Sequence, residues 1–222
     1  MTRALITGGA GFIGKHLHAQ LLAEGYDVRI LDPRAGTGSI LDEHLVRDAM
    51  EDVDLVFHMA ALAHLWTSDP KDYERINVDG TRIVLQEARR ARVKRLIATQ
   101  SEVILRGYEV ATDRPLNEGE NTPEIAEMAG PYSRSKWLAD RLCREEKDLD
   151  VISLYPTVPV GEGDDAMTAP SAMLEMFLNA PPPAYLPTIL NYVPVSDVAR
   201  AHVLAAQKAP TGARYLIAGE DW

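Results

Sequence analysis

The chain has 222 residues, a formal charge of −10 and a single cysteine, Cys143. That length suits one domain with a sizeable core, and the acidic balance, with no basic stripe against it, argues against nucleic acid as a partner. No apolar run approaches the roughly 20 residues of a membrane helix, Cys/His clusters for a metal are missing, and a lone cysteine with no signal-peptide pattern fits a reducing cytosol.

Arg3-Ala4-Leu5-Ile6-Thr7 is a short apolar run and reads as a buried strand. Gly8-Gly9-Ala10-Gly11-Phe12-Ile13-Gly14 follows at once, and apolar residues at helical spacing (Phe12, Ile13, Leu17, Leu21, Leu22) predict a helix over 12–24. In such a strand–glycine–helix unit the first glycine takes the turn and the second lets the backbone approach a pyrophosphate. The third allows close packing, and the helix N-terminus faces the phosphate charge. Gly8, Gly11 and Gly14 fill those places. A second strand, 27–32, ends at Asp32, where an acid reads a ribose 2′-hydroxyl. That favours NAD over NADP, although Arg34 two residues on is either a partner for a 2′-phosphate or a solvated charge.

Further strands are predicted near 53–58, 94–99, 150–155 and 213–217, and helices over 42–50, 70–91, 131–147, 168–178 and 197–208. Asp69-Pro70 reads as an N-cap followed by proline at the first helical position. This alternation predicts an α/β, Rossmann-type doubly wound parallel sheet, with ligands beyond the carboxyl ends of the strands. Tyr132 and Lys136 lie four apart, on one face of the 131–147 helix. A lysine cation and an oxidised nicotinamide would lower the phenol's pKa, so that Tyr132 can exchange a proton with a hydroxyl or carbonyl. Cys143 on the same helix is expected to be packed rather than reactive, and His58, His64 and His202 to be structural or surface residues.

Together these segments resemble the short-chain dehydrogenase/reductase superfamily, most closely its extended branch, the NAD-dependent epimerase/dehydratase family. The resemblance covers nearly the whole chain. It rests on Thr7–Gly14, Val56-Phe57-His58-Met59-Ala60-Ala61, Asn77-Val78-Asp79-Gly80-Thr81, Tyr132-Ser133-Arg134-Ser135-Lys136, Tyr155-Pro156-Thr157-Val158-Pro159-Val160-Gly161 and Tyr192–Ala199. The last two stretches are most similar to hopanoid-associated sugar epimerases and dihydroflavonol-reductase-like proteins.

The resemblance implies Ser101, Tyr132 and Lys136 as catalytic residues, with Lys136 also holding the nicotinamide ribose. Ser101-Glu102-Val103 also matches a triplet that follows the catalytic residue in some members, a register that would put Gln100 at the site instead. The implied cofactor set adds Phe12, Ile13, Ser39, Ile40, Ala60, Ala61, Asn77, Thr99, Tyr155, Pro156 and Val158 to Gly8, Gly11, Asp32, Arg34, Tyr132 and Lys136. Glu102 is followed by Val103, so the second acid of the family's dehydratases is missing and dehydration is not expected.

Members of this type run longer, so the expectation is one dinucleotide-binding domain over 1–222, with substrate elements in about 156–195 and a shortened C-terminal substrate portion. Residues 104–130 and Ala180–Tyr185 are further candidates for substrate surface, as are Ala63 and His64. The resemblance implies a cytoplasmic homodimer acting on a small molecule, paired through the helices at 70–91 and 131–147. Three readings follow: a nucleotide-sugar epimerase with tightly held NAD, placed first; a reductase or dehydrogenase with exchangeable cofactor; and a non-catalytic NAD-binding protein.

Overall fold

The computed structural model describes residues 1–64, 66–107, 115–119, 123–180 and 189–221. Strands β1 (Arg3–Thr7), β2 (Asp27–Leu31), β3 (Leu55–His58), β4 (Arg95–Thr99), β5 (Val151–Pro156) and β8 (Arg214–Ile217) form one parallel sheet in the order β2-β1-β3-β4-β5-β8. Chain order reverses across β1, which puts the β1 carboxyl end at the crevice where α/β sheets bind ligands.

The strands are apolar on both sides because both faces are covered. Side chains alternate with the pleat. Leu5, Val56, Leu96 and Val151 pack with Val46, Val84, Leu85, Ala88 and Cys143 from α2 (Glu43–Ala49), α4 (Gly80–Arg90) and α5 (Pro131–Glu145). Ala4, Ile6, Phe57, Ile97 and Ile152 pack with Leu17, Leu21, Ala199 and Val203 from α1 (Phe12–Ala23) and α7 (Val195–Lys208). A large aliphatic or aromatic side chain fully buried in this way contributes about 1.5–3 kcal/mol.

Two features differ from the sequence expectation. The predicted 70–91 helix is three pieces in line: α3 (Lys71–Tyr73), a π-helical stretch Glu74–Asp79, and α4. Its start is as expected in kind, since the Asp69 carboxylate accepts from the Lys71 N–H at 3.0 Å, but regular helix begins one residue later. The second feature is a small additional sheet. β6 (Val158–Val160) pairs parallel with β7 (Asn191–Pro194), and β9 (Glu220–Asp221) pairs antiparallel with β7. Such two- to four-residue strands are too short to carry a period. Helix α6 (Ala169–Asn179) lies between β6 and β7 in sequence. Among the described residues, no helix is long and apolar enough to cross a membrane.

Candidate active site

Gly8 adopts φ +75°, and a β-carbon there would stand 2.8 Å from both Cα and N of Ala60. A β-carbon on Gly14 would lie 2.4 Å from the Gly8 carbonyl oxygen. Gly11 is the N-cap of α1, with no side-chain cap and no acid in the first turn that follows. The first turn, Phe12 and Ile13 included, therefore keeps its N–H groups uncovered by side chains, with the positive end of the helix dipole behind them. This backbone cradle suits a diphosphate, and the fit is one of shape: side chains at Gly8 or Gly14 would displace it.

Asp32 closes the loop from below. It is buried; Oδ2 accepts from the Ala10 N–H at 3.0 Å and Oδ1 from the Arg34 N–H at 2.8 Å. The Arg34 guanidinium folds back to 3.5 Å from the Asp32 carboxylate, and Nη2 lies 3.0 Å from the β-carbon position of Gly11. The cation thus stands beside the cradle while its side chain stays largely exposed to solvent. A cleft of about 350 Å³ opens here between the glycine loop and residues 163–166, lined by Ala10, Phe12, Lys15, Arg34, Asp164 and Asp165 among others. Lys15 ion-pairs with Asp165, and the His16 Nε2 hydrogen-bonds the Glu162 carbonyl at 3.0 Å. Sequence reasoning did not place this segment against α1. The two stretches lie about 150 residues apart and carried no pairing signal.

The other end of the site is α5. Gly130 and Pro131 start it, and the Ser133 hydroxyl bonds back to the Gly130 N–H and C=O, both at 3.0 Å. Ser101, two residues past β4, lies close enough to the Tyr132 phenol to influence it, and the Ser101 hydroxyl donates to the Glu102 carboxylate at 2.9 Å. One turn on, the buried Lys136 donates from Nζ to the Thr99 carbonyl at 2.7 Å. The sequence thus brings Ser101, Tyr132 and Lys136 together.

Their electrostatics differ from expectation. Burial pushes Tyr132 up to about 12, the Ser101 hydroxyl pulls it down, and the Glu102 charge adds to the rise. Burial lowers Lys136 to about 8. Lys136 is not among the groups that move Tyr132, although its charge is felt at His58 and Cys143. A positive charge on a bound ring would act in the direction that brings the phenol down.

Asn77 ties the two ends together. Its Nδ2 donates to the Ser135 hydroxyl at 2.9 Å and the Leu62 carbonyl at 3.1 Å, while Oδ1 accepts from the Leu62 N–H at 2.7 Å. The segment with Ala60 and Ala61 is thereby fixed against α5. Tyr73, which the sequence did not single out, sets its ring against Tyr132, with centroids 6.2 Å apart, and donates to the His64 carbonyl at 2.5 Å.

Four of the expected cofactor residues have their side chains engaged elsewhere. Tyr155 is fully buried with Ile104, Leu105 and Met128; its hydroxyl donates to Asp140 at 2.6 Å and accepts from Arg214 at 2.9 Å, leaving only its backbone for a cofactor. Thr99 shares a 2.8 Å hydrogen bond with His202 Nε2 on the opposite face of the sheet, so only its carbonyl faces Lys136. Ile40 is a core side chain packed on Gly80. Ser39 accepts from the Leu41 N–H at 3.2 Å as a local turn residue. Pro156 and Val158 lie at the end of β5 and the start of β6, where the sheet opens. Gln100 points into the core with Nε2 3.5 Å from Cys143 Sγ; burial pushes that thiol up to about 12. Residues 108–114, 120–122 and 181–188, parts of the two proposed substrate segments, lie outside the described residues.

A doubly wound sheet, a glycine cradle at its switch point and a Tyr–Lys helix beside it define a dinucleotide-dependent oxidoreductase architecture. The chain belongs to the NAD dependent epimerase/dehydratase family, whose model matches residues 4–218. It is 32% identical to a protein of Synechocystis sp. provisionally described as a dihydroflavonol 4-reductase, over 97% of this chain and 67% of that one. It is 30% identical to sterol demethylase protein B of Methylococcus capsulatus, over 97% of this chain and 69% of the relative. Among solved structures it resembles that of gox2253, with TM-score 0.91 and 30% identity over all of this chain and 71% of that one. The UDP-glucose 4-epimerase of Thermus thermophilus in complex with NAD gives TM-score 0.79 and 27% identity, over all of this chain and 79% of that one.

Proposed function

We infer that this chain is an NAD-dependent oxidoreductase acting at a secondary alcohol or its ketone, with Tyr132 as the proton-transfer group. The observation that carries this reading is the convergence of Tyr132, Ser101 and buried Lys136 at the strand ends beside the glycine cradle. Gly8, Gly11 and the first turn of α1 would hold the diphosphate, Asp32 the adenosine ribose, and Lys136 the nicotinamide ribose. A bound nicotinamide supplies hydride transfer. Tyr132 takes or returns the proton at the substrate oxygen, Ser101 orients that oxygen, and the Glu102 carboxylate holds the Ser101 hydroxyl in place. Tyr132→Phe removes the proton donor but leaves the cradle intact. Turnover should fall by about 10²–10⁴-fold with NAD affinity unchanged; retained turnover would remove Tyr132 from the mechanism.

The substrate reading divides in two. A nucleotide-sugar epimerase fits the likeness to the UDP-glucose 4-epimerase and to MoeE5, whose solved structure holds UDP-glucose and NAD. Net reduction of a carbonyl fits the relative named as a dihydroflavonol 4-reductase, whose identity of 32% extends over 97% of this chain. The higher sequence identity leads us to put reduction ahead of epimerisation, the reverse of the order expected from sequence. Mass spectrometry of nucleotide released from denatured protein separates them. Near-stoichiometric NAD means an internal redox cycle and an epimerase; little nucleotide means an exchanging cofactor and a reductase. A cytoplasmic homodimer paired through α4 and α5 belongs to the same proposal, and light scattering of the purified protein tests the pairing.

A further inference from the structure

Beneath the glycine loop runs a buried chain of hydrogen bonds that the catalytic scheme does not use. The Ala60 N–H donates to Thr7 Oγ1 at 3.3 Å, and Thr7 Oγ1 lies 2.8 Å from His58 Nδ1. On the far side of the ring, His58 Nε2 lies 2.9 Å from Thr81 Oγ1, which donates to the Asn77 carbonyl at 2.6 Å. Thr7, His58, Asn77 and Thr81 are each more than nine-tenths buried.

The directions of these bonds are fixed by hydrogen counting. A threonine hydroxyl has one hydrogen, and that of Thr81 is needed between its oxygen and the Asn77 carbonyl, since two bare oxygens 2.6 Å apart would repel. Thr81 Oγ1 therefore accepts from His58, and the proton sits on Nε2. Nδ1 is then bare and accepts from the Thr7 hydroxyl, whose oxygen accepts from Ala60. The opposite tautomer would leave the Thr7 hydrogen without an acceptor and the Thr81–Asn77 contact without a hydrogen. Burial, with the nearby Lys136 charge, holds His58 down at about 3, which keeps the ring neutral near neutral pH.

The two ends of this relay are both at the site. Ala60 forms the wall against which Gly8 turns. Asn77 lies in the π-helical stretch, where the wider turn shifts backbone carbonyls off the regular ladder; the Thr81 hydroxyl captures the one at Asn77. The Asn77 amide, in turn, holds Ser135 on the helix of Tyr132 and Lys136.

We propose that His58, in its Nε2–H form, is a positioning residue that sets the π-turn carrying Asn77 against the cofactor-lining end of β3. It touches neither cofactor nor substrate and acts through Thr7 and Thr81. The link to cofactor affinity rests on the function proposed above; the tautomer and the geometry do not.

Nitrogen-15 NMR of histidine-labelled protein tests this, with the His58 signals assigned by their loss in His58→Gln. The expected result is a neutral Nε2–H ring that does not titrate between about pH 5 and 8, the span in which ordinary histidines change charge. An Nδ1–H ring, or titration in that range, overturns the proposal. Thr81→Val exchanges the hydroxyl for a methyl of similar shape. It should move the proton to Nδ1 and speed exchange of the Asn77 side-chain amide by roughly tenfold, the scale of one lost hydrogen bond. NAD binding should weaken by a similar factor, whereas Thr81→Ser should restore all three. A purely structural role would lower the melting temperature of Thr81→Val and leave amide exchange and affinity within about twofold, which refutes the proposal. If the unaltered protein binds no NAD, the function reading fails, and tautomer and amide exchange still decide the relay.

Discussion

The two ends of the site are built from different materials. At the glycine loop, the functional surface is backbone: positive φ at Gly8, a contact at Gly14 that no side chain could share, and uncovered N–H groups at the start of α1. At the α5 end it is buried titratable side chains, with Tyr132 held up, Lys136 held down and Glu102 raised, all chiefly by burial. The first end is set by shape and is finished when the chain folds. The second depends on charge, and Tyr132 near 12 is not poised for proton transfer until another cation joins it.

This contrast predicts different failures. The largest effect should come from Gly14→Ala. The added β-carbon meets the Gly8 carbonyl at 2.4 Å and Gly9 Cα at 2.8 Å, both backbone atoms that cannot rotate away. Overpacking of this kind costs about 1–3 kcal/mol, which lowers the melting temperature by roughly 2–4 °C per kcal/mol in a domain of this size. NAD binding should be lost as the cradle shifts. Thermal melting with calorimetric titration reads both, and unchanged NAD affinity would mean that the diphosphate does not sit on this loop.

At the α5 end the expected signature is pH dependence. Lys136 titrates near 8 in the fold against an ordinary value of 10.5. Between those values the unfolded chain holds the proton that the native state has released, so stability rises with pH from about 8 and is lost as pH falls through that value. Tyr132 works oppositely, its raised native value removing stability as pH climbs above 10. The buried Cys143 thiol, held up to about 12 from an ordinary 9, acts in the same direction as Tyr132 from about 9 upward, so the window from about 8 to 9 isolates Lys136. Urea unfolding across it should show rising stability, and Lys136→Met should flatten the rise. An equal rise in the variant would mean that Lys136 is not buried as a cation.

The same contrast explains what can be read in the sequence. The glycine loop, Asp32 and the six main strands are legible because only certain residues fit those backbones and because apolar runs mark buried strands. Tyr132 and Lys136 are legible as a spacing, but their pKa values are not, since these depend on what buries them. Tyr155, Thr99 and Ile40 show a finer limit. A motif match speaks for a stretch of chain, whereas tertiary contacts (Asp140, His202 and Gly80) decide where each side chain goes. The π-turn at Asn77 is invisible because it lies in a sequence with ordinary helical spacing. β6 and β9 pair only once the chain has folded, and nothing in so few residues announces them.

The smallest predicted effect lies where shape and charge meet, at Lys15 and Asp165. Both side chains are largely solvated, at 45% and 76% exposed, so their ion pair is worth about 0–1 kcal/mol at most. Segment 161–168 does not rely on it. Asp164 caps its end through the Thr168 N–H at 2.9 Å and hydroxyl at 2.6 Å, and His16 holds the Glu162 carbonyl. Asp165→Asn should therefore leave the segment in place and change only the charge at the cleft. One anion fewer beside a diphosphate cradle, with Lys15 released from its partner, should tighten NAD binding by up to about fivefold at low salt, the equivalent of roughly 1 kcal/mol. The gain should fade as ionic strength rises. Weaker binding would show that the ion pair acts as a strap over the cofactor, which would make this edge of the cradle depend on side-chain charge as the α5 end does.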